Sequence, residues 1–155
     1  MAIPKGVKRE SLEASFNTFI PGFICTILRI SDFFLLFEGD FLFLSGIGPR
    51  DPKTNLIPGV QYDDNMNVVS YDIDKQCHSV FSNVKLVLLD SGAIWGDLVD
   101  VTVFLTDMKR DFDKFNKIYK EYFLESQPCR TTVEINSLPT PIAIELKCIA
   151  FLGDK

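Results

Sequence analysis

Apolar positions along this chain repeat with two different periods, and the switches between them mark its elements. Phe33–Phe37 and Phe41–Ser45 are short apolar runs on either side of Glu38-Gly39-Asp40. They predict two strands joined by a tight turn, with Gly39 free to take a positive φ. Between Asp72 and Asp90 the period lengthens, as Ile73, Cys77, Phe81, Val84 and Leu88 recur at spacings of three and four. That stripe predicts a helix, and Gly92 stands where a C′ glycine closes one. Leu98–Leu105 is β-rich, with Val99, Val101, Val103 and Leu105 expected on one side. Asp111–Phe123 reads as a second helix with Phe112, Phe115, Tyr119, Tyr122 and Phe123 on its inner face, and Pro128 beyond its end. Thr131–Ser137 and Ile142–Leu152 read as the last strands, separated by Leu138-Pro139-Thr140-Pro141.

Gly46–Gly59 (GIGPRDPKTNLIPG) carries three glycines and three prolines, so it reads as a long loop without regular structure. Residues 1–30 pattern weakly and are expected to be an N-terminal extension packed on the domain of residues 31–155. The order β-β-loop-α-β-α-β-β predicts an α+β domain with a single mixed β-sheet and two helices on one face.

Two helices cover one sheet face only. Yet the strands are apolar on both: Phe41 and Phe43 against Leu42 and Leu44, or Ile144, Leu146 and Cys148 against Ala143, Ile149 and Phe151. Strands that have lost the apolar/polar alternation are covered on both sides. A copy of the same chain is the most economical cover. The expectation is an oligomer with its pockets between subunits.

Composition narrows the picture. The 155 residues are 46% hydrophobic and 24% charged, which excludes wholesale disorder and fits one domain. Sixteen Lys and Arg against 21 Asp and Glu leave a net charge of -5. Cation density is what binds a phosphate backbone, so nucleic acid is not an expected partner. Fourteen phenylalanines suit a large aromatic core or an apolar face made for another subunit. Four scattered cysteines and one histidine offer no metal-ligand spacing, so no metal is expected. The cysteines are read as reduced thiols of a cytoplasmic protein. Glu10 and Glu13 interrupt any secretory segment, and Ile20–Ile30 is too short to span a membrane.

No GxSxG, Gly-rich phosphate loop or HExxH is present. His78, alone on a helix, reads as a surface side chain, and Cys129 as a structural thiol. Arg130 opens a strand after a loop, which puts its guanidinium at a sheet end. Such a planar fork suits a substrate carboxylate, or a nearby surface acid. Glu145 interrupts an apolar strand, where burial raises a carboxyl towards the range useful for proton transfer. The alternative is that Glu145 and Lys147 share a solvated edge.

Several segments occur in an order that identifies a family. Phe41-Leu-Phe-Leu-Ser-Gly46, the Asp100–Met108 run DVTVFLTDM, Phe115-Asn116-Lys-Ile-Tyr119, the Arg130–Pro139 segment RTTVEINSLP and Ile144-Glu145-Leu-Lys-Cys-Ile-Ala150 together resemble the reactive-intermediate deaminase (Rid, YjgF-like) family, from about Phe41 to Phe151. The resemblance implies a chorismate-mutase-like fold and a homotrimer with clefts between subunits. It also implies hydrolysis of reactive enamines and imines to keto acids and ammonia, without metal or organic cofactor. It makes Arg130 the grip on the substrate carboxylate and Glu145 the group that positions water and moves protons. Ser45 and Gly46 match cleft-lining positions, and Asn116 matches a cleft residue contributed across the interface. Thr132 stands where bacterial members carry a cysteine, and Ile30–Phe34 lacks their cleft tyrosine.

Ser45-Gly46-x-x-x-Arg50-x-Pro52, the stretch from Pro58-Gly59-Val60 to Tyr71-Asp72-Ile73, and Glu145-x-Lys147 are similar to the 2-aminomuconate deaminase branch. A dicarboxylate enamine needs a second cation, for which Arg50 is the candidate, with Lys147 behind it. A keto-acid-binding regulatory trimer without catalysis is the alternative. The ribonuclease role sometimes attached to the family is opposed by the acidic charge.

Overall fold

The computed structural model describes residues 15–16, 25–30 and 33–153, with side chains from residue 35 onward. Along that chain run β1 (Ser15–Phe16), β2 (Cys25–Ile30), β3 (Phe33–Glu38), β4 (Phe41–Leu44), β5 (Gln61–Tyr62), β6 (Val68–Ser70), α1 (Ile73–Asp90), β7 (Leu98–Leu105), α2 (Met108–Tyr122), β8 (Cys129–Glu134) and β9 (Ile144–Phe151). Seven strands form one sheet in the order β1-β2-β3-β4-β9-β7-β8. Every neighbour pair is antiparallel except β7 and β8, which are parallel. Parallel neighbours need a crossover, and α2 supplies it. The expected mixed α+β sheet with two helices is present.

The predicted hairpin is β3–β4, with Gly39 at φ 58. Helix α1 starts as its sequence indicates, because the Asp72 carboxylate accepts from the amides of Asp74 and Lys75. Its end is a Schellman motif. Gly92 lies at φ 78, its amide donates to the Leu89 carbonyl at 3.1 Å, and the Ala93 amide donates to Leu88 at 2.9 Å.

Other boundaries moved for identifiable reasons. Helix α2 begins at Met108 rather than Asp111, because Asp107 caps it through the Arg110 amide at 2.9 Å. Asp111 is then almost fully buried, bonded to the Tyr71 hydroxyl at 2.6 Å and to Arg110 at 3.0 Å. Strand β8 starts and stops earlier than Thr131–Ser137, since its pairing with β7 runs from Cys129 to Glu134. Val99 does not share the inward side of β7. A register shift between Leu98 and Asp100 turns Leu98 inward and leaves Val99 38% exposed.

The single-sheet expectation needs one correction. A separate ribbon, β5–β6, projects from the segment before α1. Its turn is held by the Asp63 carboxylate, which accepts from the amides of Asn65 and Asn67, while Met66 takes φ 64. Every residue from 61 to 70 is exposed, so no apolar alternation announced it. Within Gly46–Gly59 the one departure from a loop is an isolated bridge between Ile47 and Leu146.

The core lies between the helices and one sheet face. Leu42, Leu44, Val101, Val103, Leu105, Ile144, Leu146, Cys148 and Ala150 point to that side and are at most 1% exposed. Against them pack Cys77, Phe81, Val84 and Leu88 of α1 and Phe115, Ile118 and Tyr119 of α2. The opposite face carries Phe41, Phe43, Ile149 and Phe151. Phe41 is 43% exposed and the others half-buried. Phe41 and Phe151 sit 5.0 Å apart, centroid to centroid. Among the described residues no helix is long and apolar enough to cross a membrane.

Candidate active site

Arg130 is the second residue of β8, the edge strand. Its Cα partner on β7 is Val101, whose side chain is fully buried on the helix side. Paired residues point the same way, so Arg130 leans towards α2. There its Nη1 donates to Asn116 Oδ1 at 2.9 Å, and its guanidinium carbon lies 4.6 Å above the Tyr119 ring and 5.9 Å from that of Phe115. The hydrogen bond fixes one edge of the fork and the ring fixes its plane. Among the described residues no carboxylate pairs with it. Asn116 and Arg130 are thus held together within one protomer.

Thr132 follows two residues later and points to the same side. Among the described residues its Oγ1 is buried without a hydrogen-bond partner, as is the Tyr119 hydroxyl, and burial pushes Tyr119 up to about 12. A groove of about 420 Å³ opens beside Arg130, lined by Asn116, Tyr119, Lys120, Gln127 and Pro128 among others. Sequence reasoning did not single out Tyr119, Lys120 or Gln127 for this site. The available signal was the helical spacing of Tyr119 and Lys120 from Asn116.

Glu145 occupies the other side of the sheet. It lies on β9, a central strand, so a solvated edge does not account for it. Its Cα partner is Phe104, which pairs in turn with Val133. Glu145 is half-buried, and among the described residues no hydrogen bond engages its carboxyl. Burial raises its pKa above the ordinary 4.5, with no opposing cation.

Gly46 is the reason the carboxyl fits. Ile47 and Leu146 exchange backbone hydrogen bonds at 2.8 and 2.9 Å, which lays the Gly46 backbone against the glutamate. A Cβ on Gly46 would fall 2.3 Å from Glu145 Oε1. Ser45 precedes it and is half-buried. Gly46 and Glu145 therefore meet, with Ser45 next to them in the chain, while Arg130, Asn116 and Thr132 share the other side.

These two groups do not meet within one chain. Arg130 stands level with Val101 and Cys148, whereas Glu145 stands level with Phe104 and Val133. Three residues along a strand are about 10 Å, and the side chains point to opposite faces.

Arg50 is engaged inside its own loop. Its Nη1 donates to the Asn55 carbonyl at 2.8 Å, and the loop is clamped to α1 by Asn83, which donates to the carbonyls of Gly48 and Arg50. The Asp51 carboxylate is occupied by the amides of Lys53 and Thr54. Lys147 is exposed on the Glu145 face. His78 is a surface residue on Tyr122, with Nδ1 3.0 Å from its hydroxyl. Cys129 is exposed, whereas burial pushes the thiols of Cys77 and Cys148 up to about 12.

Comparison with known proteins adds three kinds of likeness. The model of the endoribonuclease L-PSP family matches residues 34–152. A RutC family protein of Pyrococcus horikoshii is 41% identical over 113 residues, 73% of this chain and 80% of that one. A putative reactive intermediate deaminase, TdcF of Escherichia coli K12, is 33% identical over 115 residues, covering 72% and 79% of the two chains. The crystal structure of E. coli TdcF with bound serine superposes with a TM-score of 0.63 at 25% identity, over 95% of this chain and 98% of that one.

Proposed function

The chain belongs to the endoribonuclease L-PSP family, which includes the reactive-intermediate deaminases, and we propose that it hydrolyses a small enamine or imine carboxylate to a keto acid and ammonia. One observation carries this reading. Each side of the sheet presents half a site, and neither half is neutralised within the chain: Arg130 has no acid and the Glu145 carboxyl no donor among the described residues.

A second copy of the chain supplies the missing half. The apolar face around Phe41, Phe43, Ile149 and Phe151 needs a cover, and a neighbour laid on it brings its own Arg130 edge to this protomer's Glu145. The active form is then a homotrimer whose clefts each draw Arg130, Asn116 and Thr132 from one protomer and Ser45, Gly46 and Glu145 from the next. Nucleic acid has no part, since a net charge of -5 opposes a phosphate backbone.

The chemistry asks little of the protein. Arg130 binds the substrate carboxylate through the donors Asn116 leaves free, and the Tyr119 ring holds the fork's orientation. The enamine takes a proton at carbon and gives one up from nitrogen to become an imine. Glu145, whose pKa burial raises, then passes a proton between water and the nitrogen as water adds to the imine carbon. Loss of ammonia from that adduct leaves the ketone; one water enters and one ammonia leaves. By the likeness of the Ser45–Pro52 and Pro58–Ile73 segments, 2-aminomuconate-like compounds are the preferred substrates.

The test is ammonia release from freshly generated 2-aminomuconate and 2-aminoacrylate. Arg130→Ala should abolish saturable turnover of both, and wild-type-like rates would refute the assignment. Mixing Arg130→Ala with Glu145→Gln protomers tests the shared cleft. Random assembly restores a complete pair in about a quarter of the clefts, so activity should reappear from two inactive parents. A mixture as inactive as its parents would show that each site belongs to one chain.

A further inference from the structure

The groove beside Arg130 holds a second cation with no role so far. Lys120 lies one helical turn beyond Asn116 on α2, so their Cβ atoms are about 5–6 Å apart. Both line the groove of about 420 Å³ that ends at Arg130. Lys120 is exposed, and among the described residues no ion pair or hydrogen bond engages it. Within α2, which ends at Tyr122, its neighbours at three and four residues are Asn116 and Lys117. Neither is an acid, so no i,i+3 or i,i+4 carboxylate within the helix takes up its charge.

We propose that this groove is a two-anion site, in which Arg130 takes one carboxylate and Lys120 the far carboxylate of a short dicarboxylate. It rests on the reading that Arg130 binds the substrate carboxylate, and it names the residue that selects the substrate class. A dicarboxylate of four to six carbons spans about 4–6 Å between carboxyl carbons, and the long, flexible lysine stem can adjust its ammonium to that span. The other candidates are worse placed. Arg50 is bonded to Asn55, and Lys147 shares the Glu145 face, opposite Arg130. Gln127, at the mouth, offers an amide to either carboxylate.

Lys120 also sits in the last turn of α2, where any cation favours the helix end. That role does not depend on the ligand, which makes the two separable. Adipate and hexanoate have equal length and differ in the second carboxylate alone, and titration calorimetry on the intact assembly measures both. The wild type should bind adipate about tenfold more tightly than hexanoate, the return of one charge-assisted hydrogen bond. Lys120→Met should erase that preference while leaving hexanoate binding unchanged, and Lys120→Arg should restore it. A preference that survives in Lys120→Met, or is missing from the wild type, overturns the proposal. Arg130→Ala should weaken both acids together. If it weakens neither, or if neither acid binds the wild type at millimolar concentration, the carboxylate role of Arg130 fails instead.

Discussion

Gly46→Ala separates the catalytic position of Glu145 from the stability of the fold. The new methyl carbon would lie 2.3 Å from Oε1 and 2.8 Å from Cδ of Glu145, where ordinary contact begins near 3.4 Å. The carboxyl must retreat by about 1 Å, since a side-chain end moves more cheaply than two paired backbones. Leaving its rotamer costs about 0.5–1.5 kcal/mol, a small part of a domain's stability. Misplacing a reacting group by that distance costs about 100-fold in rate. The expected result is a melting temperature within a few degrees of wild type, with kcat for ammonia release down by about 100-fold and substrate binding little changed. Gly96→Ala is the control, because a Cβ there meets nothing within 4 Å. A folded Gly46→Ala enzyme with full activity would refute the placement of Glu145 in the reaction. A loss of several kcal/mol in denaturant unfolding would refute the claim that the carboxyl is what moves.

Glu145→Gln should retain carboxylate binding but lose turnover, which single-turnover ammonia release can check. Because burial raises the Glu145 pKa, the acid limb of wild-type activity should lie above the ordinary carboxylate range. The same shift has a defined sign for stability. As pH rises from the unfolded value through the raised folded one, the folded state holds more proton than the unfolded, so Glu145 costs stability across that window. Glu145→Gln should flatten this part of a melting-temperature profile. Phe81→Ala should destabilise by about 3–5 kcal/mol in denaturant unfolding, since Phe81 is fully buried with its ring 4.6 Å from Tyr122 and 6.0 Å from Trp95. On the proposed assembly, Phe41→Asp should leave a folded monomer in sedimentation velocity and no activity, because Phe41 is already 43% exposed in one protomer and its burial would come from the copy.

Elements with a strong local signal were readable in advance. The α1 stripe and its Gly92 terminus depend on residues close together in sequence, and they stand where the pattern put them. The start of α2 was missed by one turn, because the apolar stripe begins at Phe112 while the Asp107 cap lies one turn earlier. Only the buried contact with Tyr71, 40 residues earlier, decides that Asp111 faces inward. The β5–β6 ribbon escaped because a strand exposed on both faces has no hydrophobic alternation to read.

The candidate site divides in the same way. Residue types and spacing in the chain determined that Arg130 begins a strand, that Glu145 sits in an apolar one, and that one sheet face lacks a cover. They could not determine which face each side chain takes, because that follows from strand order and register, β4-β9-β7-β8 with Val101 beside Arg130 and Phe104 beside Glu145. Register is set by packing between residues far apart in sequence, and a shift of one residue moves every side chain to the other face. Tertiary structure alone therefore decided that Arg130 shares its side with Asn116 and Lys120, while Glu145 shares the opposite side with Gly46.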